Sequence, residues 1–97
     1  MLEECIIFES MKSKPVTIIP IARKKIAQRG VAESMVFETI QKPDQLVEGV
    51  KGRFVAQRKY FFDNCIYLLR VVYEEDEYQL TVITGYFTSQ VSRYWEE

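Results

Sequence analysis

Arg70 stands inside the most apolar stretch of the chain, Ile66-Tyr67-Leu68-Leu69-Arg70-Val71-Val72-Tyr73. A guanidinium is rarely buried unless it is paired or aimed into a cleft. Arg70 is therefore the first candidate for a functional cation. Its ordinary reading is a salt bridge to an acid such as Glu48 or Glu38. Thr84 and Tyr86 stand two residues apart in the last β-forming run and so share a strand face. Arg70 and Tyr86 converge if the two runs pair in the right register. Arg53 and Lys59 share a face of another run, with Gln57 between them, while Arg58 points the other way. Cations beside hydroxyls suit the handling of anions. The alternative is that Thr84 is an ordinary strand residue and Tyr86 packs the sheet. Arg23, Lys24, Lys25 and Arg29 form a second basic group. It could follow a phosphate backbone in a salt-sensitive way, or simply be a solvated helix surface.

Several other chemistries are excluded. The chain has no histidine, which rules out a Ser-His-Asp triad, a Cys-His pair and any histidine metal site. Cys5 and Cys65 cannot build a zinc site alone. They read as a reduced, buried pair, although a single disulfide is possible. Cys65, with no histidine to activate it, reads as packing rather than as a nucleophile. Glu74-Glu75-Asp76-Glu77 reads as an acidic hairpin turn, since neighbouring side chains diverge and further Mg²⁺ ligands are lacking. No metal or cofactor is expected. The aromatics Tyr60, Phe61, Phe62, Tyr67 and Tyr73 could stack bases, but at strand spacing they read as core.

The elements that must position these residues follow from local pattern. A short apolar run over residues 5–8 predicts a possible N-terminal edge strand, and residues 11–15 read as a connection. A first helix starts near Pro20, which suits a first turn, and ends at Gly30, which supplies the left-handed cap. Ala32, Met35, Val36, Thr39 and Ile40 form a one-sided stripe and predict a second helix over residues 32–42. Pro43 stops it. Strands are expected over residues 45–50, 53–62, 65–74 and 78–87. Turns fall at Lys51-Gly52, Asp63-Asn64 and Glu75-Asp76. The run over 65–74 reads as a central strand buried on both sides. In the last strand, Leu80, Val82, Thr84 and Tyr86 are expected on one face. Residues 89–97 add a final turn packed by Tyr94 and Trp95. The order predicts an α+β domain, a two-helix hairpin on one face of an antiparallel sheet.

Ninety-seven residues suit one domain. At 47% hydrophobic and 28% charged, the chain has a globular composition. No stretch approaches the ~18 apolar residues that cross a membrane. Residues 1–8 carry acids where a signal peptide carries basic residues, so a cytoplasmic location is expected. The net charge of −1 hides a segregation. Residues 11–60 hold 11 of the 13 basic residues with four acids, while acids dominate both flanks. Folding could gather the basic block on one face.

Certain motifs also carry a resemblance. They are Ala22-Arg23-Lys24-Lys25-Ile26-Ala27-Gln28-Arg29-Gly30-Val31, then Val36 to Ile40 with Lys42-Pro43-Asp44, then Gly52-Arg53-Phe54-Val55-Ala56-Gln57-Arg58-Lys59. Leu69-Arg70-Val71-Val72-Tyr73-Glu74, Val82-Ile83-Thr84-Gly85-Tyr86 and Arg93-Tyr94-Trp95 follow in order. This set resembles the bacterial and archaeal family known as domain of unknown function 4258, which is similar to the RelE/ParE-like toxins of toxin–antitoxin pairs. The resemblance implies two helices on a curved antiparallel sheet. It implies RNA cleavage, often of mRNA on the ribosome, and a cognate antitoxin partner. ParE-like relatives instead poison DNA gyrase, and a non-catalytic interaction module of the same fold is a further alternative. Two departures are visible. Ile21 stands where family members often carry a histidine, and Ala32 where a serine usually caps the second helix. Cleavage would then need groups other than imidazole. On that reading Arg53 and Arg70 bind the scissile phosphate, Lys59 or Tyr86 moves a proton, and Thr84 donates a hydrogen bond.

Overall fold

The computed structural model describes residues 14–96. The element order is β1 (Val16–Ile18), α1 (Pro20–Gln28), α2 (Glu33–Gln41), β2 (Gln45–Glu48), β3 (Phe54–Phe62), β4 (Cys65–Glu75), β5 (Leu80–Thr88) and α3 (Val91–Tyr94). The strands form one five-stranded sheet in the order β1-β5-β4-β3-β2. The fold is α+β, but its sheet is mixed rather than antiparallel. β2 to β5 form an antiparallel meander, and β1 joins β5 in parallel, with Val16, Thr17 and Ile18 opposite Leu80, Thr81 and Val82. The sequence pattern missed β1, because three residues between Pro15 and Pro20 are too few for periodicity to register. The expected strand over residues 5–8, and Cys5 with it, lie outside the described residues.

Local chemistry explains the helices. Pro20 is the first residue of α1, where its missing N–H has no partner to lose. α1 ends in a Schellman motif: Val31 N–H donates to Ile26 O at 2.9 Å and Gly30 N–H to Ala27 O at 3.1 Å. Gly30 takes φ +73° to close it. That geometry leaves Arg29 as the C-cap residue. α2 begins after Ala32, which supplies no side-chain cap.

Both helices cover one face of the sheet. Ala22 and Ile26 of α1 and Val36 and Ile40 of α2 pack on Ala56, Leu69, Val71, Tyr73, Leu80 and Val82. Gly85 is where α1 approaches β5 most closely: a Cβ there would sit 3.4 Å from Ile26 Cγ2. Asp63 and Asn64, with φ of 54° and 59°, form the two-residue β3–β4 hairpin loop that matches strand twist.

Two expectations need correction. β4 is buried through Leu68, Leu69, Val71 and Tyr73, but its start is open, and Cys65 is a free, exposed thiol at the hairpin tip rather than a packed one. In β5 the register jumps, with Tyr73 opposite Val82 and Val72 opposite Thr84. Ile83 is the extra residue of a bulge. The bulge flips the alternation, so Leu80 and Val82 face the helices while Thr84 and Tyr86 face away from them. Among the described residues no helix is long and apolar enough to cross a membrane.

Candidate functional site

The face of the sheet opposite α1 and α2 carries a row of polar side chains set by register. Gln45 of β2 lies opposite Gln57 of β3, Gln57 opposite Arg70 of β4, and Arg70 opposite Tyr86 of β5. Cross-strand neighbours on one face are close enough to interact, and here each hydrogen-bonds the next. Gln57 Nε2 donates to Gln45 Oε1 at 3.0 Å. Arg70 Nε donates to Gln57 Oε1 at 2.6 Å, and Arg70 Nη1 donates to Tyr86 Oη at 2.6 Å. The row therefore crosses four strands without a break.

This settles how Arg70 is accommodated. Gln57 is fully buried, at 0% exposure, and Arg70 is half-buried. No carboxylate pairs with Arg70 among the described residues; Glu38 sits 3.8 Å from Arg58, on the helix side. Its neighbours are neutral acceptors and the ring of Tyr94, 4.2 Å from the guanidinium carbon to the centroid. A half-buried cation held by neutral groups keeps its charge available to an external anion. Tyr86 accepts from Arg70, so its own hydroxyl proton is left for another acceptor.

Thr84 and Arg29 extend the row at the β5 edge. β1 pairs only with Leu80, Thr81 and Val82, so the β5 edge beyond them is free of β1. Arg29, delivered there by the Schellman turn, donates from Nη1 to Thr84 Oγ1 at 2.9 Å and to Gly85 O at 3.3 Å. Its guanidinium lies 6.0 Å from the Tyr86 ring centre. Arg29 thus joins Arg70, Thr84 and Tyr86.

Lys59 is exposed on the same face, one row nearer the hairpin tip, opposite Leu68. Its ammonium sits 3.9 Å from the centre of the Trp95 ring. Arg53 shares the strand face but not the site. It lies four residues from Gln57, roughly 13 Å along the strand, and its Nε is paired with Glu74 at 2.9 Å. Arg23 pairs with Glu33 at 2.5 Å. Lys24 and Lys25 are exposed on α1, across the sheet from Arg70. The structure therefore gathers Arg70, Thr84, Tyr86 and Arg29, sets Lys59 beside them, and leaves Arg53, Arg23, Lys24 and Lys25 apart.

Sequence reasoning missed four residues here. Gln45 and Gln57 are the acceptors that hold the row, and Tyr94 and Trp95 cover its cations. Residues 94–96 lie across the row on a polar clamp. Gln57 Nε2 donates to Tyr94 O at 3.3 Å, and Glu96 N–H donates to Gln45 Oε1 at 3.0 Å. Gln45 Nε2 returns a bond to Glu96 O. The available signals were Gln57 on the strand face that Arg53 and Lys59 share, and Tyr94 and Trp95 as the packing of the final turn.

Two titratable groups outside the row are displaced. Burial pushes the Tyr60 phenol above its ordinary value, with Glu38, which accepts its proton at 2.7 Å, adding to the rise. The Asp76 carboxyl is held below the usual carboxylate range by the backbone N–H groups of Tyr78 and Gln79. Among the described residues no cluster of three or more acids or cysteines could hold a metal ion. Compared with known proteins, the chain matches no family model, no curated protein and no solved structure.

Proposed function

We propose that the domain is a RelE-like, metal-independent endoribonuclease, the toxin member of a toxin–antitoxin pair, working on the open face of its sheet. The observation that carries this reading is the Arg70–Tyr86 pair: a half-buried guanidinium with no carboxylate partner among the described residues, bonded to a phenol whose proton is free to donate. RNA offers the anion that such a cation lacks. In the reaction, the ribose 2′-oxygen attacks the adjacent phosphorus and the 5′-oxygen leaves. The 2′-hydroxyl loses its proton and the leaving oxygen gains one. Arg70 and Arg29 meet the charge that builds on the phosphorane oxygens. Tyr86 is placed to protonate the leaving oxygen, Thr84 to donate a hydrogen bond, and Lys59 to accept the 2′ proton on its amine. The products are a 2′,3′-cyclic phosphate and a 5′-hydroxyl. The partners this reading requires are RNA, free or on the ribosome, and an antitoxin protein.

The test is incubation with end-labelled RNA and with translating ribosomes in excess chelator, with product ends identified chemically. Cyclic-phosphate ends that disappear in Arg70→Met and fall at least ~10²-fold in Tyr86→Phe are expected for a proton donor. Absence of cleavage under both conditions overturns the assignment as an enzyme.

A second reading, a non-catalytic interaction module of the same fold, draws support from Lys59 and Arg70. Both cations already lie against aromatic rings of the chain itself. RNA binding without cleavage, lost in Arg70→Met, is the result that favours it.

A further inference from the structure

The segment covering the polar row is the chain's own, and its contacts are those a nucleic acid would make. Tyr94 lies on the guanidinium of Arg70 and Trp95 on the ammonium of Lys59. The backbone on either side of Trp95 is held by side-chain amides, Gln57 to Tyr94 O and Gln45 to both the N–H and the C=O of Glu96. An amide bonded to a donor and an acceptor of one residue reads a peptide as it would read a base edge. Rings stacked on cations stand where unpaired bases would lie on a single-stranded nucleic-acid platform. Arg70 is also partly occupied in this state: Nε and one Nη1 hydrogen are spent on Gln57 and Tyr86, and one face of its plane is under Tyr94. Beyond Trp95 the same sheet face continues with Phe61 opposite Ile66, 68% and 50% exposed. An aromatic ring so exposed on a strand face offers a further stacking position.

We propose that residues 94–96 are a displaceable competitor, held in the single-stranded RNA lane of the open sheet face, and that RNA binds by lifting Tyr94 from Arg70 and Trp95 from Lys59. This rests on the RNA reading above and adds to it the strandedness of the ligand and the means by which the site is kept closed. Duplex RNA, whose bases are already stacked, has no rings to offer in exchange.

Trp95 is the only tryptophan of the chain, so its emission reports on the segment directly. The experiment titrates the whole chain with a single-stranded RNA oligonucleotide, following Trp95 emission and, in parallel, the anisotropy of a dye on the RNA. A duplex of the same sequence is the control. Gln45→Ala, which opens the clamp, is carried through the same titrations. The expected result is a red shift of Trp95 emission that saturates with RNA binding. Weaker binding of the duplex and roughly tenfold tighter binding by Gln45→Ala are expected with it, the latter being the worth of two net hydrogen bonds. RNA binding with unmoved Trp95 emission overturns this inference alone, because the wild-type titration needs no variant. Equal or weaker binding by a folded Gln45→Ala does the same. No RNA binding by either protein overturns the RNA reading and this inference together.

Discussion

Replacing Gln57 by leucine removes the centre of the polar row while keeping nearly the same volume. The wild-type amide is fully buried and makes three bonds: it accepts from Arg70 Nε, and it donates to Gln45 Oε1 and Tyr94 O. A hydrogen bond to a charged group contributes about 1.5–3 kcal/mol and a neutral one about 0.5–1.5 kcal/mol. The half-buried guanidinium recovers part of its loss from water, and leucine gains from its apolar transfer. A net destabilisation of about 2–3 kcal/mol results. For a domain of this size, each kcal/mol shifts Tm by about 4–8 °C, so the melt should fall by roughly 10–20 °C. Urea unfolding followed by circular dichroism and by Trp95 emission reads the effect. Trp95 should also become more solvent-exposed before global unfolding, because its segment loses the bond to Tyr94 O. Stability within ~0.5 kcal/mol of wild type, with Trp95 emission unchanged, would refute the view that the row is a connected network.

Three further outcomes follow from the packing and from the displaced groups. Gly85→Val should cost about 1–3 kcal/mol in chemical denaturation, because its Cγ atoms must push Ile26 and α1 away from β5, whereas Gly85→Ala should cost less. Tyr60 has a folded pKa above its unfolded value of ~10. Its contribution to stability is complete below that value and is lost as pH rises through the folded pKa, so Tyr60→Phe should flatten the alkaline limb of a stability–pH curve. Asp76 has a depressed folded pKa, so its contribution is present above the unfolded value of ~3.9 and is lost as pH falls through the folded one. Asp76→Asn should therefore flatten the acid limb, with its loss of stability present at neutral pH and vanishing as pH falls through the folded pKa.

The helices were legible because punctuation sets their ends. Pro20, Gly30 and Pro43 bound two amphipathic stretches, and the structure places α1 and α2 between them. The meander was legible because each turn carries residues that favour positive φ or hydrogen-bond their own backbone. β1 was not, since parallel pairing of a three-residue edge strand leaves no local signature. Arg70 was conspicuous as a cation in an apolar run, and its register with Tyr86 is as the strand alternation allowed. Gln57 and Gln45 were not conspicuous, because their value lies in being opposite one another and opposite Arg70, which only cross-strand register creates. The one-residue bulge at Ile83 also hides in sequence, yet it decides which face Thr84 and Tyr86 join. Arg53 misled for the reverse reason: it shares a face with Gln57 and Lys59, but strand length carries it to Glu74 instead.

Two basic surfaces compete for the role of nucleic-acid site, the open sheet face with Arg70, Arg29 and Lys59, and the outer face of α1 with Lys24 and Lys25. The most direct measurement is nuclear magnetic resonance of the arginine Nε–H groups and backbone amides during titration with a single-stranded RNA oligonucleotide. The account predicts that the Arg70 and Arg29 Nε–H signals and the amides of Gln57, Tyr86 and Trp95 shift together. It also predicts a binding constant that falls with salt at a log–log slope near −2, as three phosphate contacts to a single strand require. Shifts confined to α1 around Lys24 and Lys25, with Arg70 Nε–H unmoved at saturation, would contradict it.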